Sequence, residues 1–239
     1  MAQVSYLENE GIKISRGMVK NVIPVHRSGY NPNLQNGTEE TIWSYSSGDP
    51  YFATVANTVS VVSSSSSDTG VDITIDGLDA NWNMISETIR VNGTTPAVTS
   101  NSFIRVNATI NTGSNTIIGN ITFSQNGGSV VAYITDGIGR GLKGTYSIPA
   151  GYTGYLYKGD TSVGKGGDAE VKMWVRYFGK TWLVGHVAQV YENQYNYDFP
   201  FPSPLPEKTD IKVTGKTSTT GTAIGCNFDI LLVKNPNTD

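Results

Sequence analysis

The sequence predicts an all-β protein, an antiparallel β-sandwich of jelly-roll-like type with an extended amino-terminal arm. Three observations predict it. Apolar and polar residues alternate with a period of two in short runs, as half-buried strands require. Gly, Asn and Ser punctuate the runs at intervals of about ten residues, the spacing of turns in a sandwich or barrel. No stretch holds a helical period over several turns.

Residues 1–52 are expected to form the arm, because Pro24, Pro32, Asn36-Gly37 and Gly48-Asp49-Pro50 interrupt every alternating run there. Met18 to Arg27 can pair as a strand, but Pro24 lacks the amide N–H of a central strand, which leaves an edge strand or a docking segment. Thr38 to Trp43 can form one helical turn. The body is expected over 53–239. Val71, Ile73 and Ile75 share one face of a strand, with Asp72, Thr74 and Asp76 on the other. Glu87 to Val91 leads into Asn92-Gly93, a strong short-range turn signal.

Ile104, Val106, Ala108 and Ile110 alternate with Arg105, Asn107 and Thr109, and Ile121 and Phe123 follow with the same period; both runs read as half-buried strands. Gly127-Gly128 separates them from Val130 to Ile134, a run fit for cover on both faces. Further strands are expected at Tyr146 to Ile148, Gly154 to Tyr157, Val171 to Phe178, Trp182 to Val187, Asp210 to Thr214 and Phe228 to Val233. Between them Asp198 to Pro206 reads DFPFPSPLP, a spacing that favours extended polyproline conformation and opposes ladder pairing.

The chain has 239 residues, enough for a real core. Its charged fraction is 15%, below the roughly 25% usual in soluble domains, so the surface is neutral and hydrogen-bonding. With 17 Lys and Arg against 20 Asp and Glu there is no basic stripe for nucleic acid. A single cysteine, Cys226, excludes an intramolecular disulfide. The start MAQVSYLENEGIKISRG lacks the apolar core of a signal peptide, and no run reaches the ~20 apolar residues of a membrane helix. Synthesis in the cytoplasm, with no membrane partner, is the expectation.

Catalytic and metal-binding constellations do not emerge. His26 and His186 lie far apart on segments of different character, without metal or triad spacing. Cys226 beside His186 is conceivable as a thiol nucleophile, yet no signature surrounds it and a small buried apolar role suits it better. Gly137-Ile138-Gly139-Arg140-Gly141 lacks the Lys-Ser/Thr ending of a phosphate loop. Asp68, Asp72, Asp76 and Asp79 form the densest acidic group, with spacing that fits a solvated strand face rather than a calcium loop. No metal, cofactor or catalytic residue is expected.

Two sets of residues remain as contact surfaces. Val22, Ile23, Val25, Ile42 and Trp43 are too apolar for a solvated tail, and Arg27 and Trp43 are of the types that anchor interfaces, so the arm is expected to dock on a partner. Tyr191, Tyr195, Tyr197, Phe199 and Phe201 fall at odd positions on a segment poor in aliphatics, fit either for an edge covering or for burial against a neighbouring subunit. With so few charges, an oligomer held by apolar contacts, a trimer, is expected.

GLDANW (77–82), SETIRVNGTTPAV (86–98), FIRVN (103–107), GNIT (119–122), YSIPAG (146–151), KTDIKV (208–213) and FDILLV (228–233), with VHRSGYNP (25–32) and EETIW (39–43) before them, resemble a family of tailed-bacteriophage virion structural proteins along nearly the whole chain. Where that family more often reads His-Lys-Phe-Gly-Arg-Asn-Pro, this chain reads His26-Arg27-Ser28-Gly29-Tyr30-Asn31-Pro32. The resemblance implies a non-enzymatic virion component that decorates the capsid or belongs to the neck or tail, and whose partners are capsid, portal, neck or tail subunits. The alternative reading is a receptor- or glycan-binding module of a head or tail fibre.

Overall fold

A computed structural model describes residues 9–45 and 48–236. Residues 1–8, at the front of the expected arm and of the stretch tested for a signal peptide, lie outside the described residues, as do 46–47 and 237–239. The described chain opens with a short helix, α1 (Glu10–Ser15), whose first turn is capped by the Asn9 side chain accepting the Ile12 N–H. Two strands follow, β1 (Val22–Leu34) and β2 (Glu39–Thr41). The middle of the chain supplies β3 (Ser60–Ser63), β4 (Thr69–Leu78), β5 (Met84–Asn92), β6 (Ala97–Val98), β7 (Arg105–Asn111), β8 (Ile121–Gln125) and β9 (Ser129–Ile134). The remainder supplies β10 (Thr145–Ser147), β11 (Tyr152–Val163), β12 (Asp168–Arg176), β13 (Leu183–Tyr191), β14 (Gln194–Leu205), β15 (Asp210–Lys216) and β16 (Thr222–Lys234). The expected all-β class holds, and the ladders between these strands are antiparallel.

The two ends of the chain build one unit. β1 pairs with β16, β2 and β10 both pair with β15, β11 pairs with β14 and β12 with β13. First meets last and second meets next to last, so the chain runs as one long hairpin whose paired strands are divided between two sheets. One sheet has the order β1-β16-β11-β14; the other has β10-β15-β12-β13, with β2 also on β15. Their inner faces share a core. β16 alternates without a break, sending Ile224, Cys226, Phe228, Ile230 and Leu232 inward, where they share one cluster with Val171, Val175, Ile211 and Val213 of the facing sheet. Each such large side chain contributes about 1.5–3 kcal/mol on leaving water.

β2 and β10 are two pieces of one interrupted strand. Thr41 stands opposite Thr214 and Thr145 opposite Lys212. Between them the Ile42 N–H donates to the Val213 carbonyl, the Val213 N–H to the Gly144 carbonyl and the Gly144 N–H to the Ile42 carbonyl, at 2.9, 2.8 and 2.9 Å. Everything from Trp43 to Lys143 leaves and re-enters at this break. Gly29 of β1 passes directly over it: a Cβ there would lie 2.4 Å from the Ile42 carbonyl oxygen and 2.5 Å from the Gly144 nitrogen. Only glycine fits that approach.

The central unit has two sheets, β6-β3-β8-β9 and β5-β4-β7. Its separate core takes Val71, Ile73 and Ile75 of β4, as their alternation predicts, with Val61, Ile121, Phe123 and Ile134. Gly127 and Gly128 both adopt positive φ in the β8–β9 turn, and Gly128 N–H donates to the Gln125 carbonyl.

Several expectations are corrected. Residues 22–43 are not an arm apart from a 53–239 body, because β1 runs in register with β16 from Val22↔Val233 to Leu34↔Thr222 and β2 continues the other sheet. Thr38 to Trp43 forms no helical turn; Glu39–Thr41 is a strand because β15 offers it an open edge. Pro24 does lie on an edge strand, opposite Leu231. The proline-rich segment is part of β14 instead of a free crossing. Its ladder with β11 jumps from Asp198↔Lys158 to Ser203↔Leu156, so Pro200 and Pro202 sit in a bulge on an edge, where a missing N–H is tolerated.

Candidate functional site

The arm residues are largely consumed within the chain. Ile42 and Trp43 are 0% and 1% exposed, which corrects their reading as partner anchors: Ile42 joins the core of the terminal unit. The Trp43 indole N–H donates to the Gly48 carbonyl at 2.9 Å, and its ring meets Tyr45 at 5.3 Å. Arg27 is half-buried with its guanidinium 5.0 Å from the centre of the Tyr146 ring, and burial, its largest influence, lowers its pKa. Val22 and Val25 are half-buried on β1, and of the set only Ile23 is exposed.

Three of the five expected aromatic residues converge. β13 and β14 are the terminal strands of the two facing sheets of the same unit. Tyr195, Tyr197 and Phe199 project from β14 toward His186 of β13, with ring centroids 5.9, 4.8 and 6.3 Å from the imidazole. Tyr197 and Phe199 meet edge to face at 4.6 Å. This row closes the mouth between the sheets over a cavity of about 40 Å³ walled by Val171, Met173, Val213 and Cys226. Outside it, Phe201 is 90% exposed and Tyr191 68%, and Leu183, Val184 and Val187 of β13 are exposed as well.

The seam between the two units was not legible in the sequence. β7 was expected to be half-buried, yet Arg105, Asn107 and Thr109 on its polar side are buried too. Arg105 donates to Asp210 through Nε at 2.7 Å and Nη2 at 2.9 Å, and Asp210 also accepts from Arg176 and from the Ser147 hydroxyl. Asn107 exchanges two 3.0 Å bonds with the Ser147 main chain. Lys143 donates to the Val106 and Val131 carbonyls, and burial, followed by Arg27 and Arg105, pulls its amine down to about 7. A signal existed in Arg105 and Asn107, polar residues too large and too regularly placed to be idle, but nothing local named their partners.

On one side of the seam opens a groove of about 430 Å³, walled by Phe52, Trp82, Phe178, Arg105, Arg176 and Lys208. Trp82 and Lys208 hold φ of 67° and 60°, a region that side-chain-bearing residues seldom adopt. The aromatic planes are tied to cations: Arg105 lies 4.7 Å from the Trp82 ring centre, Arg176 4.6 Å from Trp182 and Lys208 5.2 Å from Phe178.

The acidic group divides. Asp68 is buried rather than solvated, because the Ser63 hydroxyl and the Ile118 and Gly119 N–H groups satisfy it. Asp72 is held below the usual carboxylate range by its two bonds to Arg90. Asp76 accepts from Ser86, and Asp79 from the Asn81 and Asn83 N–H groups. Among the described residues no three His, Cys, Asp or Glu side chains are grouped to hold a metal. The Cys226 thiol is buried and pushed up to about 12 by that burial, so it is not a poised nucleophile. Among the described residues no helix is long and apolar enough to cross a membrane.

No family model and no curated protein matches the chain. Among solved structures it is similar to the infectious bursal disease virus Gx strain, at 11% identity over 92% of this chain and 74% of that one, with a TM-score of 0.23. It is similar also to the infectious bursal disease virus VP2 subviral particle, at 12% identity over 91% and 74%, again with a TM-score of 0.23. At those scores the likeness carries no argument about this chain.

Proposed function

We propose that the chain is a non-enzymatic structural subunit of a virion, of the tailed-phage class that its motifs resemble, and that copies of it associate through the β13/β14 edge. The first-with-last pairing of β1·β16, β2/β10·β15, β11·β14 and β12·β13 is what a long hairpin rolled into two sheets produces, and we read it as a jelly roll with the central unit inserted in one strand. Jelly rolls recur in viral capsid and lectin domains. Fold alone does not assign a task.

The observation that carries the reading is the unguarded edge. Free strand edges are normally blunted by charge or proline. β13 has neither along Leu183–Tyr191, and it exposes Leu183, Val184, Val187 and Tyr191; Phe201 of β14, the terminal strand of the facing sheet, is exposed as well. Such a strip calls for cover. A second copy is the occupant we infer, because β13 carries no charge that would select an oppositely charged partner and copies of one chain close into a ring by symmetry. The surface left to the amino-terminal segment is smaller: Ile23 and Tyr30 are exposed on edge strand β1, and these are the residues we propose for docking on capsid, portal or neck subunits.

Sedimentation of the intact protein at micromolar concentration tests the association. A trimer that persists at high salt and falls to monomers on Val187→Glu is expected. Monomers at both low and high salt would sink it. Counting copies per purified particle then tests the virion assignment, and a protein missing from particles would overturn it.

A further inference from the structure

The geometry points to the seam groove as a binding site for an acidic saccharide, a pyranose ring that carries a carboxylate or sulfate group. This goes beyond assembly and does not depend on it, since the groove lies between the central and terminal units and the β13/β14 edge does not line it. Its volume of about 430 Å³ falls within the roughly 300–1,000 Å³ of small-molecule sites.

The charge of the groove is unbalanced. Arg105, Arg176, Lys180 and Lys208 line it, and Asp210 is the carboxylate lining it with them. Arg105 is spent on Asp210, and Arg176 gives Nε and Nη2 to the same carboxylate. Lys180 and Lys208 make no ion pair among the described residues. Two cations therefore remain for an anion. Beside them Phe178 is 62% exposed yet fixed, edge-on to Trp82 at 5.8 Å and with the Lys208 amine 5.2 Å from its centre. A flat apolar ring beside unpaired ammonium groups matches a ligand with a carbon-bound hydrogen face and a negative substituent.

Backbone strain supports the same place. Trp82 and Lys208 come from different units, and both hold positive φ at this groove. Neighbouring main-chain bonds lock them there: Ala150 N–H donates to the Trp82 carbonyl and Lys208 N–H to the Ile148 carbonyl, at 2.8 and 2.9 Å. Strain of this kind persists only where the surroundings over-determine it, and it gathers at ligand sites. An acidic peptide would supply charge but no pyranose face for Phe178, so the observations favour the sugar.

Calorimetric titration of the full chain with a hyaluronan tetrasaccharide tests this, with a chondroitin sulfate tetrasaccharide as the sulfate arm and cellotetraose and hexaglutamate as comparisons. Saturable binding of either acidic sugar is expected, with cellotetraose and hexaglutamate much weaker. Phe178→Ala should weaken it about five- to tenfold, the size of one aromatic contact, and Lys208→Ala should weaken it and flatten its salt dependence. Unchanged thermal melting of Phe178→Ala, whose side chain is mostly exposed, would show that the loss is not unfolding; if that variant melts early, Tyr177→Ala, at a second aromatic residue lining the groove, takes its place. No saturation by either acidic sugar, equal binding of hexaglutamate, or full binding by a folded Phe178→Ala would overturn the inference.

Discussion

Arg105 at the start of β7 and Asp210 at the start of β15 form a buried two-bond ion pair that ties the central unit to the terminal one. Asp210 is also the acceptor for Arg176 and Ser147. Removing it takes the carboxylate from two guanidinium groups, of which the buried Arg105 keeps only its Nη1 bonds to the Ala53 and Ile104 carbonyls. Asp210→Ala is expected to cost about 3–5 kcal/mol, the usual penalty for breaking one side of a buried pair, whereas the double replacement Arg105→Met with Asp210→Leu should cost less than Asp210→Ala alone. Urea unfolding of the three proteins measures it.

Gly29 predicts a steric result. A methyl group there meets the Ile42 carbonyl and the Gly144 main chain at the break in the strand, atoms that cannot turn aside. Gly29→Ala should destabilise by about 1–3 kcal/mol or more. Gly159→Ala, whose Cβ would find its nearest neighbour at 3.8 Å, should be nearly silent by the same melting assay.

Truncation separates an arm from a strand. Loss of residues 1–17 removes α1 and leaves both sheets whole, so melting should change little. Loss of residues 1–45 uncovers the inner flank of β16 and takes Leu34 and Ile42 from the core. Scanning calorimetry should then show the terminal unit's transition gone. A normal transition in that shorter chain would restore the separable arm.

The pH dependence follows from three buried groups. Lys143 titrates at about 7 folded against 10.5 ordinarily, so between those values the unfolded chain binds the extra proton and stability rises with pH. Cys226 at about 12 against 9.0 and Tyr146 at about 12 against 10.0, both raised chiefly by burial, act oppositely. Their contribution is complete below the unfolded values and is lost as pH climbs toward 12. Stability should therefore climb from about pH 7 to 9, level off, and fall above about 10. Lys143→Met should lose the climb in denaturant titrations run at each pH.

What the sequence made legible was one strand at a time. Val71, Ile73 and Ile75 went inward as their alternation required, and Pro24 went to an edge because it has no amide to give. Pairing across the chain was not legible. Nothing around Val22 to Leu34 says that its ladder partner is Thr222 to Lys234, so interruptions by Pro and Asn looked like an arm. The polar side of β7 misled for a related reason: a face that meets another unit and a face that meets water are both polar when the first is sealed by Arg105, Asn107 and Thr109. The row Tyr195, Tyr197, Phe199 was legible because a period of two needs no distant partner. The cationic groove was not, since Trp82, Arg176 and Lys208 meet only in three dimensions.

The interrupted strand sets an order of events during biosynthesis. β1 leaves the ribosome early, but its ladder partner β16 is the last described strand to be made. Until then the amino-terminal strand lacks its ladder partner, and closing so long a loop carries an entropy cost. The central unit has its own core and strands close in sequence, so it can fold while the rest is still being translated. It then acts as a clasp, holding Ile42 and Gly144 side by side so that β15, on arrival, meets a strand already assembled from two distant pieces of chain.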